Sequence, residues 1–218
     1  MALDPLTPAP DSVVFDFDGV IIDSRAPVRT AAAAALAEHG FAPRPDAELD
    51  RAIGPPSQVA FAELTGQPEN SAAVAECVAT YQRVYERVYL DQTTLVDGID
   101  TVLSRLASPL ALATAKEAEF VGPLLDSLGI AGHFEVVCGA APGERKPAIV
   151  GRALRGLGTH AAAVVGDRSF DVEAAEACRA RAIGVTWGIG TADELRGAGA
   201  RVIVDRPSEL LELLPSCR

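Results

Sequence analysis

The sequence predicts an α/β protein: a doubly wound parallel sheet with a small all-helical domain inserted after its first strand. Three observations predict it. Near the N-terminus a continuous apolar run, Val13-Val14-Phe15, ends in Asp16-Phe17-Asp18-Gly19. From about Ser24 to Leu90 the pattern is helical, without strand signals. After Asp97-Gly98 short apolar runs alternate with helical segments, which is how a parallel sheet is built. The expected boundaries are 1–24 and 94–218 for the α/β core and 25–93 for the helical domain.

The first strand runs roughly from Ser12 to Phe17, and its continuous apolar run is what a strand buried on both faces requires. In the helical stretch, Asp46 and Asn70 have the position and chemistry of N-caps, and Gly40 and Gly66 those of C-terminal stops. Val74, Cys77, Val78, Tyr81, Val84, Tyr85, Val88 and Tyr89 recur at intervals of three and four, one face of a long helix, and read as packing. Beyond Gly98, strands are expected at Leu110–Ala113, Val136–Cys138, Ala162–Val165, Ala182–Val185 and Val202–Val204. Helices are expected at Glu119–Leu128, stopped by Gly129, and at Pro147–Leu157, stopped by Gly158. The helical insert leaves and re-enters the chain near the end of the first strand, where it would cover Asp16 and Asp18.

The chain has 218 residues, enough for a full core, and is 49% hydrophobic, so it is globular. A net charge of −11 without a long basic run argues against nucleic acid or an anionic membrane as the main partner. Cys77, Cys138, Cys178 and Cys217 lie far apart with no paired spacing, against a zinc site, a redox pair or a disulfide scaffold. Met1 to Asp11 is Pro-rich and lacks the basic and apolar regions of a signal peptide, and no apolar run reaches membrane-spanning length. The expected setting is cytoplasmic and reducing, with the protein a monomer or homodimer.

Asp16 and Asp18 interrupt a buried strand two residues apart, so while the strand persists they point the same way. Two close carboxylates in a poorly solvated place repel, and either one binds a proton or both share a cation. Polar residues recur where later strands end. Thr114 follows Ala113, in a position that equally suits the start of the next helix. Lys146 precedes Pro147, at the positive end of a helix dipole, where a cation is disfavoured unless an anion offsets it. Asp167 follows the apolar strand Ala162–Val165 and Gly166; Asp171 lies where it could cap the next helix, with or without a functional role. Because ligands of such sheets bind at the carboxyl ends of strands, these residues converge on one edge. Four carboxylates and a lysine make a hard, oxygen-rich site suited to Mg2+, which keeps water and phosphate oxygens among its ligands.

Taken together, these motifs resemble the haloacid dehalogenase-like superfamily in its phosphatase branch. Phe15-Asp16-Phe17-Asp18-Gly19-Val20 resembles the first family motif, Thr114 the second, Lys146-Pro147 the third and Gly166-Asp167-Arg168-Ser169-Phe170-Asp171 the fourth. The insert is similar to the family's small helical cap, on a Rossmann-like core. Ile53-Gly54-Pro55-Pro56, Val185-Thr186-Trp187-Gly188-Ile189-Gly190 and Asp193-Glu194-Leu195 are most similar to phosphoglycolate-phosphatase-type and related small-molecule phosphatases. The resemblance implies that Asp16 attacks phosphorus and becomes an aspartyl phosphate, while Asp18 protonates the leaving alcohol and then activates water. It implies Mg2+ held by Asp16, the Asp18 carbonyl and Asp167, with Asp171 supporting. It assigns the phosphoryl oxygens to Thr114, Lys146 and backbone N–H groups of Phe17, Gly19 and Ala115. Lys146 would also pair with Asp16, and the cap would exclude water and read the leaving group. Ala115 departs from the pattern, since many relatives carry Asn or Ser there.

The expected function is therefore hydrolysis of a small phosphate monoester: a phosphosugar, a nucleotide-like phosphate, phosphoglycolate or a biosynthetic intermediate. Asp18 argues against dehalogenation, which needs no acid for an alkoxide. A phosphonate hydrolase calls for a cap lysine, and the only lysines, Lys116 and Lys146, lie outside the insert. A phosphosugar mutase shares the core chemistry and is the alternative enzyme; mutases resemble one another in a cap-loop arginine, where this chain has Gly54-Pro55-Pro56-Ser57-Gln58. From another class stand a signalling phospho-acceptor, whose acceptor lies deeper in the chain and which lacks a cap, and a non-catalytic binding protein. Arg25, Arg51, Gln58 and Arg83 are cap polar residues that could touch a leaving group, against the commoner role of solvated surface.

Overall fold

The computed structural model describes residues 9–141, 143–159 and 161–216. Cys217 and most of the Pro-rich start fall outside them. The chain divides into two compact units, Met1–Ile22 with Leu95–Arg218, and Asp23–Thr94.

In chain order the elements begin with β1 (Ser12–Phe15), β2 (Ile22–Asp23), α1 (Arg25–Glu38), α2 (Asp46–Leu49), α3 (Ser57–Thr65), α4 (Ala72–Gln92) and β3 (Thr94–Leu95). They continue with α5 (Ile99–Arg105), β4 (Leu110–Glu117), α6 (Ala118–Ser127), β5 (Val136–Ala140), α7 (Lys146–Leu157) and β6 (Ala162–Gly166). The last are α8 (Ser169–Ala177), β7 (Arg181–Val185), α9 (Ala192–Gly197), β8 (Val202–Val204) and α10 (Leu210–Leu213).

In the first unit six strands form one parallel sheet in the order β5-β4-β1-β6-β7-β8. Val14 faces Ala111 on one neighbour and Val164 on the other. Every residue of β1 is buried, which explains the apolar run Val13-Val14-Phe15. Val14, Ala111, Ala113 and Val164 share a cluster with Ile149, Val150 and Ala153 of α7 and Ala174 and Ala175 of α8. The small alanines let the two helices settle closely on the strands, and burying each branched side chain contributes roughly 1.5–3 kcal/mol. From β1 the chain first builds β4 and β5 on one side and then crosses to β6 on the other. The order therefore reverses beside β1, and in sheets of this kind ligands bind at the strands' carboxyl ends next to such a reversal.

Two strand limits differ from the sequence expectation, and both matter for the site. β1 stops at Phe15, two residues early, because the chain turns: the Val20, Ile21 and Ile22 N–H groups all donate to the Phe17 carbonyl, at 3.3, 2.9 and 3.0 Å. β4 runs on to Glu117 with a break in register. Ala113 pairs with Cys138 and Glu117 with Ala140, so four steps on one strand match two on the other. Thr114, Ala115 and Lys116 occupy this bulge, and bulges re-aim side chains. Thr114 is thus a strand residue and not the start of α6.

The second unit is all helical between its terminal strand residues. Ala32, Ala35 and Leu36 of α1 pack with Phe61 and Leu64 of α3 and Val74, Cys77 and Val78 of α4. Ser71, not Asn70, caps α4: its hydroxyl oxygen accepts the Val74 N–H at 3.2 Å. Asp46 is the first residue of α2 and Pro45 precedes it, so Asp46 faces the helix dipole without capping. Along α4 the rings of Tyr81, Tyr85 and Tyr89 stack at 5.6 and 5.5 Å, and Phe61 meets Tyr81 edge-on at 5.4 Å, so the tyrosine stripe is packing. Among the described residues no helix is long and apolar enough to cross a membrane, and Cys77, Cys138 and Cys178 are free thiols.

Candidate active site

Four consecutive strands of the sheet deliver the site. Asp16 directly follows β1, and its N–H still donates to the Val165 carbonyl at 2.9 Å, which fixes its backbone on the sheet. Thr114 sits in the β4 bulge, Lys146 is the first residue of α7 beyond β5, and Asp167 directly follows β6. Asp171 is the third residue of α8. It is not the N-cap, a place that Arg168 takes; its Oδ2 accepts the Arg168 N–H at 3.1 Å from inside the first turn. Asp16, Asp18, Thr114, Lys146, Asp167 and Asp171 are all buried.

Lys146 Nζ lies 2.6 Å from Asp16 Oδ1 and 2.8 Å from Asp171 Oδ1. This supplies the anion that a lysine at a helix N-terminus requires. Asp16, Asp167 and Asp171 each offer a carboxylate oxygen within 4.8 Å of the others. Three carboxylates against one ammonium leave a formal charge of −2 in a poorly solvated pocket when all are ionised. Burial pushes the Asp16 carboxyl well above the usual range; Lys146 opposes this, and Asp171 and Asp167 add to it. Burial likewise pushes Asp167 up to about 7, helped by Asp171 and opposed by the Ile189 N–H. For Lys146 burial favours the neutral form, but Asp16 and Asp171 outweigh it and hold the ammonium charged. Asp167 Oδ2 accepts the Ile189 N–H at 2.6 Å, while its buried Oδ1 has no hydrogen-bond partner among the described residues. An orphaned carboxylate oxygen in a hard donor set of charge −2 fits a divalent cation such as Mg2+.

Asp18 behaves differently from the expectation. The period-two argument paired its carboxylate with that of Asp16, but β1 ends before either residue. Asp18 Oδ1 lies 3.1 Å from Lys116 Nζ, with both side chains largely buried, and its carboxylate is not in the cluster of three. The cluster that accounts for the repulsion is therefore Asp16 with Asp167 and Asp171. Two backbone donors expected to face a phosphoryl group are engaged inside the protein. The Phe17 N–H donates to Asp16 Oδ1 at 2.6 Å, and the Gly19 N–H to the Ile22 carbonyl at 2.8 Å. Gly19 adopts φ +80°, and a side-chain carbon there would collide with Asp167, so only glycine fits. The Thr114 hydroxyl accepts the Lys116 N–H at 3.1 Å, which stiffens the bulge, with Ala115 at its centre.

Sequence reasoning missed Lys116, Ile189 and Glu194 as parts of the site. Glu194 Oε1 accepts from Arg168 Nε at 3.0 Å and from the Ser169 N–H at 2.9 Å, pinning the start of α8. Lys116 carried a usable signal: it stands two residues after Thr114, and the chain has only one other lysine.

The chain is also similar to known proteins. A family model described as haloacid dehalogenase-like hydrolase matches residues 13–185. The chain is 34% identical over 211 residues to the probable phosphatase IndB of Dickeya dadantii, covering 91% of each protein. It is 30% identical over 219 residues to a phosphoglycolate phosphatase of Yersinia pseudotuberculosis, covering 94% of each. The crystal structure of a predicted phosphatase from Clostridium acetobutylicum superposes with a TM-score of 0.85 at 26% identity, covering 93% of this chain and 96% of that one.

Proposed function

The chain belongs to the haloacid dehalogenase-like hydrolases and is a phosphatase, and from that premise we propose that it hydrolyses a small phosphate monoester with Mg2+ and an aspartyl phosphate on Asp16. One observation carries the reading: Asp16, Asp167 and Asp171 converge within 4.8 Å around Lys146, with Asp167 Oδ1 left without a partner.

Asp16, Asp167 and the Asp18 carbonyl would hold the cation, with Asp171 supporting. When bound, Mg2+ supplies positive charge that keeps these carboxylates ionised and offsets the charge of the phosphoryl oxygens. Asp16 forms a bond to phosphorus as the ester oxygen leaves. Asp18 gives that oxygen its proton, and in the second step takes a proton from the water that attacks the aspartyl phosphate, releasing inorganic phosphate and restoring Asp16. Lys146 stays bound to Asp16 and Asp171 and faces the transferring group with a fixed cation. The Thr114 hydroxyl, oriented by the Lys116 N–H, donates to a phosphoryl oxygen. The name of the Yersinia relative makes phosphoglycolate the first substrate to try, followed by phosphosugars, nucleotide-like phosphates and biosynthetic intermediates. The free cysteines support a reducing, cytoplasmic setting.

The test is phosphate release across a panel of small phosphomonoesters, with Mg2+ or EDTA, for wild type and Asp16→Asn. Release that needs Mg2+ and vanishes in a folded Asp16→Asn variant is the expected result. Undiminished release from that variant overturns the nucleophile assignment. Isomerisation of a sugar phosphate without net release points to the mutase instead.

A further inference from the structure

Asp167 is gripped from two sides. On one side is the turn 17–22, where Gly19 approaches so closely that a side-chain carbon would strike the Asp167 carboxylate. On the other is the segment 186–190 that follows β7. There the Ile189 N–H holds Asp167 Oδ2 at 2.6 Å, and carbons added at Gly188 or Gly190 would strike the Asp167 side chain or carbonyl. The two segments are far apart in sequence, and the Trp187 side chain bridges them. Trp187 Nε1–H donates to the Val20 carbonyl at 3.2 Å. Trp187 is the only tryptophan of the chain. The bond ties the turn that carries Asp18 to the segment that holds Asp167.

We infer that Trp187 is a positioning residue, whose indole N–H clasps the Asp18 turn to the Asp167 segment and so keeps the proton-transfer group in register with the cation site. The inference rests on the reading proposed above of Asp167 as a cation ligand and Asp18 as the acid and base. Its physical content is geometric: the internal hydrogen bonds of the turn 17–22 fix its shape, the Asp16 N–H on the Val165 carbonyl and the Val96 N–H on the Ile21 carbonyl anchor its two ends, and the indole bond ties its middle to the segment that holds Asp167. A small misplacement of a reacting group is costly in rate.

Trp187→Phe keeps an aromatic ring and removes the donor. Benzothienylalanine at position 187 removes the N–H and keeps the shape of the indole. Three readouts apply: kcat and KM with the best substrate of the panel, the Mg2+ dissociation constant by calorimetry without substrate, and the indole fluorescence of the wild type during Mg2+ titration. Loss of one hydrogen bond lowers kcat about tenfold in both variants, with KM within about twofold and Mg2+ binding weakened several-fold. Wild-type indole emission changes on Mg2+ addition, and Asp167→Asn abolishes the change. A benzothienylalanine enzyme with wild-type kcat and wild-type Mg2+ affinity overturns the clasp, whatever the phenylalanine variant does and even if it fails to fold. If the wild type itself takes up no Mg2+, this inference and the Mg2+-dependent reading fail together; if it takes up Mg2+ and the isostere matches it, the clasp alone fails.

Discussion

Arg29 in the helical unit and Lys146 in the sheet unit each hold two aspartates, at nearly the same distances. Arg29 reaches Asp50 at 2.7 Å and Asp46 at 2.8 Å; Lys146 reaches Asp16 at 2.6 Å and Asp171 at 2.8 Å. The surroundings separate them. The Arg29 side chain is 33% exposed and that of Lys146 is 4% exposed. Water screens the first set, and its loss would leave groups that water can solvate. The second set is desolvated, and a third carboxylate, Asp167, leaves it with an excess of negative charge. Equal contact lengths thus hide unequal surroundings: water screens the exposed network, while the buried one keeps an excess of negative charge that, in the function proposed above, a cation would offset.

The sharpest way to break this comparison is to remove the two cations. Lys146→Met leaves Asp16 and Asp171 facing each other without an ammonium. It should cost about 3–5 kcal/mol of stability, the usual price of breaking a buried pair, and abolish turnover. Urea unfolding checks it, and a stability equal to wild type would refute the buried-charge account. Next in size, Asp18→Asn should lower kcat by about 10²–10⁴-fold. It should leave Mg2+ affinity measured by calorimetry unchanged, because the Asp18 carboxylate pairs with Lys116 and is not one of the three clustered carboxylates.

A pH series without metal sharpens the comparison further. The folded Asp167 carboxyl is raised to about 7, whereas an unfolded chain releases that proton near 3.8. Between these values the folded state binds the extra proton, so stability falls as pH rises through the window and levels off above it. Mg2+ replaces the proton. Its stabilising effect in a thermal-shift experiment should be small near the lower end of the window and largest above pH 7. Asp167→Asn should flatten both trends; a Mg2+ shift that does not depend on pH would contradict them. The smallest effect belongs to the exposed network. A double-mutant cycle on Arg29 and Asp50 should give a coupling of about 0.2–1 kcal/mol that fades with added salt, and no change in kcat.

The sheet and most of the site were legible in the sequence because both follow from strand ends. Apolar runs mark buried parallel strands, and Asp16, Asp167 and Lys146 each stand one step past such a run or at a helix start that proline announces. What the sequence concealed depends on where a strand stops being regular. Thr114-Ala115-Lys116-Glu117 has no apolar pattern, so β4 seemed to end at Ala113; the bulge that aims Thr114 and Lys116 is set by pairing with β5. The early turn after Phe15 puts Asp16 and Asp18 outside β1, where a period-two rule that holds only within a strand no longer aligns their side chains. Asn70 and Ser71 are adjacent and chemically similar cap candidates, and only the reach of the Ser71 hydroxyl to the Val74 N–H decides between them.

The placement of the two lysines has a practical side. Every other basic side chain of this kind is arginine, so the chain carries no side-chain primary amine apart from Lys116 and Lys146. Both ammonium groups are nearly buried and pinned to carboxylates. Acylating reagents, amine-coupled surfaces and lysine conjugation therefore find no acceptor side chain on the outside of the molecule. A label that does attach to a lysine has, by that fact, reached one of two nearly buried amines beside Asp16 or Asp18.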